Sequence, residues 1–206
     1  MPVYELPDLT YDYGALEPKV SGRVMALHHS KHHAGYVDGA NRAIERMAEG
    51  GGGDGGVPEP LPDLERNLAF NLSGHLLHSR LWRCMSPDGG GEPGGDLADA
   101  IDDQLGGFKR CRALVTSSAS SIQGSGWAAL AWEPTAQRLV VEQLYDHHGN
   151  VGQGTQPLLV LDAWEHAYYL DHENNKSDWF ESFWDVVDWD AMEGDFERMR
   201  KTPAFV

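Results

Sequence analysis

Two clusters dense in glycine and proline, GGGGDGGVPEP from Gly50 to Pro60 and SPDGGGEPGGD from Ser86 to Asp96, constrain this chain more than any other feature. Glycine is entropically costly to order and proline removes a backbone donor, so neither cluster can continue a helix or a strand. The blocks flanking the first cluster, roughly Gly22 to Ala48 and Leu61 to Met85, carry helical periodicity. Joined by a flexible connector, they form an antiparallel hairpin. The opening segment PDLTYDYGALEPKVS reads as an ordered loop leading into the first of them. The second cluster is the domain boundary, separating a helical hairpin domain over residues 1–90 from a second domain over 91–206.

In the second half, Leu97 to Ser117 reads as helix. WAALAW (Trp127 to Trp132), RLVVEQLY (Arg138 to Tyr145) and PLLVL (Pro157 to Leu161) are short, apolar or β-branched runs that read as strands. Their short connections favour antiparallel pairing. From about His166 to Met199 the pattern returns to helix, with the aromatic cluster WFESFWDVVDW. The expected class is α+β: an N-terminal antiparallel helical hairpin, then an α/β domain with a small three-stranded antiparallel sheet.

Composition narrows the function. There are 32 acidic and 16 basic residues, a net charge of -16, which disfavours nucleic acid and anionic membrane as partners. Only five of the basic residues are lysines, a balance resembling that of halophilic proteins from cells that keep molar salt in the cytoplasm. No apolar run approaches a membrane span and MPVYELPDL has no signal-like character, so a cytoplasmic protein is expected. Cys84 and Cys111 have no spacing suited to a thiolate metal site or a disulfide, and read as buried free thiols.

Histidine is the specific signal, concentrated in HHSKHH (28–33), HLLH (75–78) and DAWEH (162–166). On a regular helix His28, His32 and Tyr36 are spaced i, i+4, i+8 along one stripe. His29 and His33 fall about 100° further round and read as ordinary solvated or core histidines. On the second helix Gly74 shares a face with His78 and leaves room beside it. Asp162 closes an apolar strand with His166 four residues on, an arrangement able to reach one ion and equally able to form a salt bridge or helix cap.

Taken together, HHSKHHAGYV, HLLHSRLW, QGSGW and LDAWEHAYYL, in this order, resemble the manganese/iron superoxide dismutase family. The similarity runs from VYELPDLTYDYGALEP to FWDVVDWD, nearly the whole chain. The resemblance implies a superoxide dismutase that converts superoxide to dioxygen and hydrogen peroxide on one manganese ion per subunit, with iron as the alternative. It implies His28, His78, Asp162 and His166 as metal ligands, a donor set of imidazole and carboxylate that suits those metals. It also implies Tyr36 and His32 at the mouth of the substrate channel, and Tyr169 reaching His32 of the partner subunit. Glu165 would hold His166 of the partner subunit in a homodimer, which in some cases pairs further into a homotetramer. Trp82, Trp127 and Trp164 would wall the metal, a role compatible with plain core packing.

Two departures from the family pattern stand out. Where many members place a glutamine against the metal-bound solvent, this chain has Gly74 at one site and His147 at the other, with His148 nominated if the alignment slips by one. The glycine favours manganese. Lys176 stands where an arginine is usual at the funnel mouth, keeping the charge without the planar fork. A non-haem iron oxygenase or hydrolase, or a non-catalytic metal binder, uses the same ligand types. The two-His, one-carboxylate set of the iron class is not the one implied here, and a channel narrowed by Tyr36 and His32 excludes a large organic substrate.

Overall fold

The structure is a computed structural model that describes residues 2–49 and 60–201, so the expected connector lies, apart from Pro60, outside the described residues. Helix α1 (Gly22–Leu27) is capped by Ser21, whose side chain accepts from the Val24 amide. The helix does not then run on as regular α. Residues His28–His33 form a π-helical turn, with the Ala34 amide reaching back five residues to the His29 carbonyl. Regular α-helix resumes as α2 (Ala34–Glu49), and α3 (Leu61–Arg83) packs against it as the second arm of the hairpin.

The second half differs from expectation at its breaks. The single helix expected over Leu97 to Ser117 is two, α4 (Gly95–Leu105) and α5 (Phe108–Ser120). Gly106 and Gly107 between them adopt φ of +81° and +100°, a left-handed conformation that ends α4 and re-aims the chain. Leu97 and Ile101 on α4, and Cys111, Val115 and Ala119 on α5, are buried at i, i+4 spacing, so each helix turns its own stripe to the core. The helical tail is likewise divided, into a 3-10 turn at Glu165–Ala167, α6 (Tyr169–His172), α7 (Lys176–Trp184) and α8 (Trp189–Arg200). Glu173, at φ +50°, ends α6, and Asp188 caps α8 by accepting from the Ala191 amide.

Strands β1 (Gly126–Glu133), β2 (Arg138–Tyr145) and β3 (Gln156–Asp162) make an antiparallel sheet in the order β2-β1-β3. The central β1 is buried on both faces, which accounts for its unbroken apolar run, whereas β2 at the edge exposes Arg138 and Tyr145. The pairing sets Trp127 opposite Asp162. Helix α3 packs on β3, so the hairpin and the end of the sheet meet there. No helix among the described residues is long and apolar enough to cross a membrane.

Candidate metal centre

Each of the four residues nominated as ligands comes from a different element. His28 opens the π turn, His78 lies on α3, Asp162 ends β3 and His166 sits in the 3-10 turn that follows. One potential ligand atom from each falls within 4.8 Å of all the others. The Asp162 Oδ2 atom is 3.2 Å from His28 Nε2, 3.9 Å from His78 Nε2 and 3.3 Å from His166 Nε2. Strand pairing and side-chain bonds fix the carboxylate: the Trp164 amide donates to Oδ1 at 2.9 Å, and the Trp179 indole donates to the Asp162 carbonyl at 2.6 Å.

The donor set fits a cation. His78 Nδ1 is 2.6 Å from the Gly74 carbonyl, which can only accept, so the proton is on Nδ1 and the Nε2 lone pair faces the cluster. Among the described residues, the buried Nε2 atoms of His28 and His78 make no well-formed hydrogen bond, although His28 Nε2 stands 3.2 Å from Asp162 Oδ2. Orphaned nitrogens of this kind cost about 1–3 kcal/mol each, unless an ion takes up their lone pairs. Burial pushes the His28 pKa down to about 4 and that of His78 well below its ordinary value, keeping both lone pairs free at neutral pH. Burial by itself would raise the Asp162 carboxyl, yet the surrounding His166 and His28 hold it well below the usual carboxylate range. Three imidazoles and one carboxylate, with no thiolate, suit manganese or iron.

Around this cluster the structure gathers most of the other nominated residues. Trp82 stands edge-on to His28 with ring centroids 4.8 Å apart, Trp127 meets His78 at 5.0 Å and Trp164 meets His166 at 5.3 Å. His32 is exposed and stacks on His166 at 4.4 Å, placing it at the rim. Tyr36 packs on His78 at 5.0 Å and on His147 at 4.5 Å, and burial raises its phenol pKa. The room left by Gly74 is filled by this ring: a Cβ there would sit 2.8 Å from Tyr36 Cγ.

His147, not His148, faces the cluster. After β2 the chain makes a tight turn in which Tyr145 and Gly149 exchange backbone hydrogen bonds, and Trp164 Nε1 ties the turn down by donating to the Asp146 carbonyl. That turn buries His147 between Tyr36 and Trp164, stacked on the latter at 4.5 Å with an 8° interplanar angle. His148 instead is only half-buried, its ring 5.8 Å from Phe70. Because Trp127 Nε1 donates to His147 Nδ1 at 3.1 Å, the neutral ring carries its proton on Nε2, and that buried atom has no partner among the described residues.

The remaining nominees sit on the surface. Glu165 and Tyr169 are exposed on the segment after Asp162, Tyr169 by 49% and its neighbour Leu170 by 51%. Lys176 is half-buried with Nζ over the Phe180 ring. Three residues near the site carry no distinctive sequence signal. Trp179 holds the Asp162 backbone, Phe70 packs on both Tyr36 and His147, and His33 hydrogen-bonds Trp82. The first two resemble any apolar core residue, and His33 is the core histidine its position allows, with its tie to Trp82 depending on the π turn.

Fold and site together define a mononuclear metalloprotein centre set between a helical hairpin and a small antiparallel sheet. Models of the iron/manganese superoxide dismutases match the chain in both parts, the α-hairpin domain over residues 3–86 and the C-terminal domain over 93–195. The chain belongs to the iron/manganese superoxide dismutase family. It is 50% identical over 196 residues to superoxide dismutase [Mn] of Mycolicibacterium smegmatis, covering 95% of this chain and 94% of that protein. It is 49% identical over 189 residues to superoxide dismutase [Fe] of Mycobacterium tuberculosis, covering 92% and 90%. Similarity to superoxide dismutase [Mn/Fe] of Propionibacterium freudenreichii subsp. shermanii is 48% over 200 residues, covering 96% and 98%. Relatives named for each metal stand equally near, so identity does not select between manganese and iron.

Proposed function

We propose that this protein is a superoxide dismutase that converts superoxide to dioxygen and hydrogen peroxide with one manganese ion per subunit, iron being the alternative. The observation that carries this reading is the buried convergence of His28, His78, Asp162 and His166 within 4.8 Å, in a chain of this family. These four residues would hold the ion, two from the hairpin domain (1–90) and two from the α/β domain (91–206). The bound ion supplies a centre that accepts one electron and then returns it.

The chain's own residues would handle binding, charge and protons. Asp162 stays ionised and would offset part of the cation's charge, while the three imidazoles would coordinate without adding any. His147 holds a proton at Nε2 beside Tyr36, whose half-buried phenol also keeps its proton, so the two form a proton-bearing wall over the site. Trp82, Trp127 and Trp164 exclude water. His32 and Tyr36 would narrow the entrance, and Lys31 and Lys176 would provide local positive charge for an anionic substrate in a chain of net charge -16.

For the assembly we propose a homodimer, with further pairing into a tetramer left open. The exposed Glu165, Tyr169 and Leu170 lie next to ligand His166, where a two-fold contact would bring Glu165 to His166 of the partner subunit and Tyr169 to His32 of the partner subunit. The free, buried Cys84 and Cys111 agree with a reducing compartment, and we place the enzyme in the cytoplasm of a salt-accumulating cell. The deciding experiment is elemental analysis of the purified protein paired with superoxide turnover after reconstitution with manganese or iron. Turnover proportional to bound metal is expected, and metal bound at one ion per subunit without turnover would refute the reading.

A further inference from the structure

HHSKHH and HLLH each contribute a ligand to the centre, yet each also carries a second histidine that the mechanism leaves unused: His33 and His75. The two meet behind the metal site, with His33 Nε2 and His75 Nδ1 2.8 Å apart. On its other edge His33 faces Trp82, whose Nε1 lies 2.9 Å from His33 Nδ1. An indole nitrogen can only donate, so His33 Nδ1 is the acceptor and, in the neutral ring, Nε2 carries the proton and donates to His75. The result is a directed chain from Trp82 to His33 to His75, leading away from the indole that stands edge-on to ligand His28. Trp82 and His33 are buried and His75 is half-buried.

The π turn makes this possible. In a regular α-helix, residues five apart lie about 140° from each other and cannot serve the same side. A π turn closes its hydrogen bonds over five residues and brings such a pair back to nearly one face. His28 and His33 are the first and last residues of that turn, and both contact Trp82, at ring separations of 4.8 and 6.2 Å. The wide turn thus delivers a ligand and the residue that orients the ligand's neighbour in one stroke.

We propose that His33 is a positioning residue of the metal centre, fixing the Trp82 indole against ligand His28 and being fixed in turn by His75. The inference rests on the metal-centre reading above. Without His33 the buried Trp82 N–H loses its acceptor, the indole turns to find another, and His28 loses the wall that holds its ring on the ion.

The test uses the full-length, manganese-loaded protein and reads the rate of manganese release to excess chelator, with circular dichroism to establish folding. His33→Leu should speed release by about tenfold or more, the lower end of what outer-shell changes do to metal affinity. His33→Asn keeps an acceptor for Trp82 N–H and should stay within about threefold of the unaltered protein, below the roughly tenfold to hundredfold range of a lost outer-shell contact. In a Trp82→Phe background, which has no N–H to position, His33→Leu should add nothing further. A folded His33→Leu protein that releases metal at the original rate, or whose effect multiplies with that of Trp82→Phe, overturns the proposal. Should His33→Leu not fold, His75→Ala tests the chain from its outer end: faster release is expected, and an unchanged rate overturns it. Superoxide turnover of the unaltered protein is measured on the same preparation. Metal-loaded but inactive protein would refute the dismutase reading, while the release rates still decide the role of His33.

Discussion

Individual residues separate into those that hold the ion and those that tune what it does. Asp162→Ala removes the one charge among the four ligands and should abolish stoichiometric metal retention; full metal content by elemental analysis would take Asp162 out of the coordination shell. His147→Ala deletes a proton-bearing Nε2 that hydrogen-bonds no other protein group among the described residues, so it should leave metal bound and lower turnover by about tenfold to a hundredfold. His148→Ala should do neither, because within the same turn His148 is only half-buried and packs on Phe70, not on the ligands. Loss of turnover in His148→Ala with His147→Ala unaffected would reverse that assignment. The family alignment puts His147 ahead of His148, and what seats it is a Tyr145–Gly149 turn and a bond from Trp164 to Asp146, both set by folding.

At the scale of elements, the hairpin must be held against the sheet domain for ligands from both to meet. One device is a buried carboxylate on α8, Asp195, only 4% exposed, which receives Arg80 and Arg83 of α3 and Arg198 of its own helix. Arg83 engages it with two bonds, Nε to Oδ2 at 2.6 Å and Nη2 to Oδ1 at 2.8 Å. Arg83 and Arg198 are 49% and 63% exposed, so Asp195→Ala should cost about 1.5–3 kcal/mol of stability, the range for hydrogen bonds to a charged group and less than for a fully buried pair. Chemical denaturation of the metal-free protein measures this, and a cost below about 1 kcal/mol would mean the cluster behaves as an ordinary surface pair. Sequence patterning located α3 and the three strands well, because α3 repeats apolar residues at helical spacing and the strands are short runs rich in apolar or β-branched residues. It missed the π turn at 28–33, which looks the same in pattern as a regular helix, and the break at Gly106–Gly107, which sits inside an otherwise continuous stripe.

For the molecule as a whole, pH and salt act through burial and net charge. Burial pushes His28 down to about 4 and His33 and His147 down to about 3, against an ordinary value of 6.5. Folded pKa values below the unfolded ones mean that the unfolded chain binds more protons between them, so this stability is complete above pH 6.5 and is lost as the pH falls. Each of these groups costs about 1.4 kcal/mol per pH unit within that window. The melting temperature of metal-free protein should therefore drop steeply from pH 7 to pH 5, and an unchanged value would contradict their neutral burial. Salt acts in the stabilising direction: 32 acidic against 16 basic residues repel one another across a screening length of about 10 Å at 0.1 M, which falls to roughly 3 Å at 1 M. Thermal unfolding in a potassium chloride series should shift upward, and a flat or falling midpoint would mean that the acidic surface is not an adaptation to salt.

What the sequence determined by itself was the set of elements and the identity of the chemistry. The Gly/Pro clusters force breaks, apolar periods name helix and strand, and the motifs around His28, His78, Asp162 and His166 point to one family, because each of these signals is local and survives without a fold. Only the tertiary structure decided what the neighbours of those histidines do. His33 was set aside on the geometry of a regular helix, yet the π turn brings it to Trp82; Gly74 was read as empty space, yet it is the seat of the Tyr36 ring. Direction and contact at those positions depend on how distant segments close on one another, and no pattern along the chain encodes a direction that packing alone imposes.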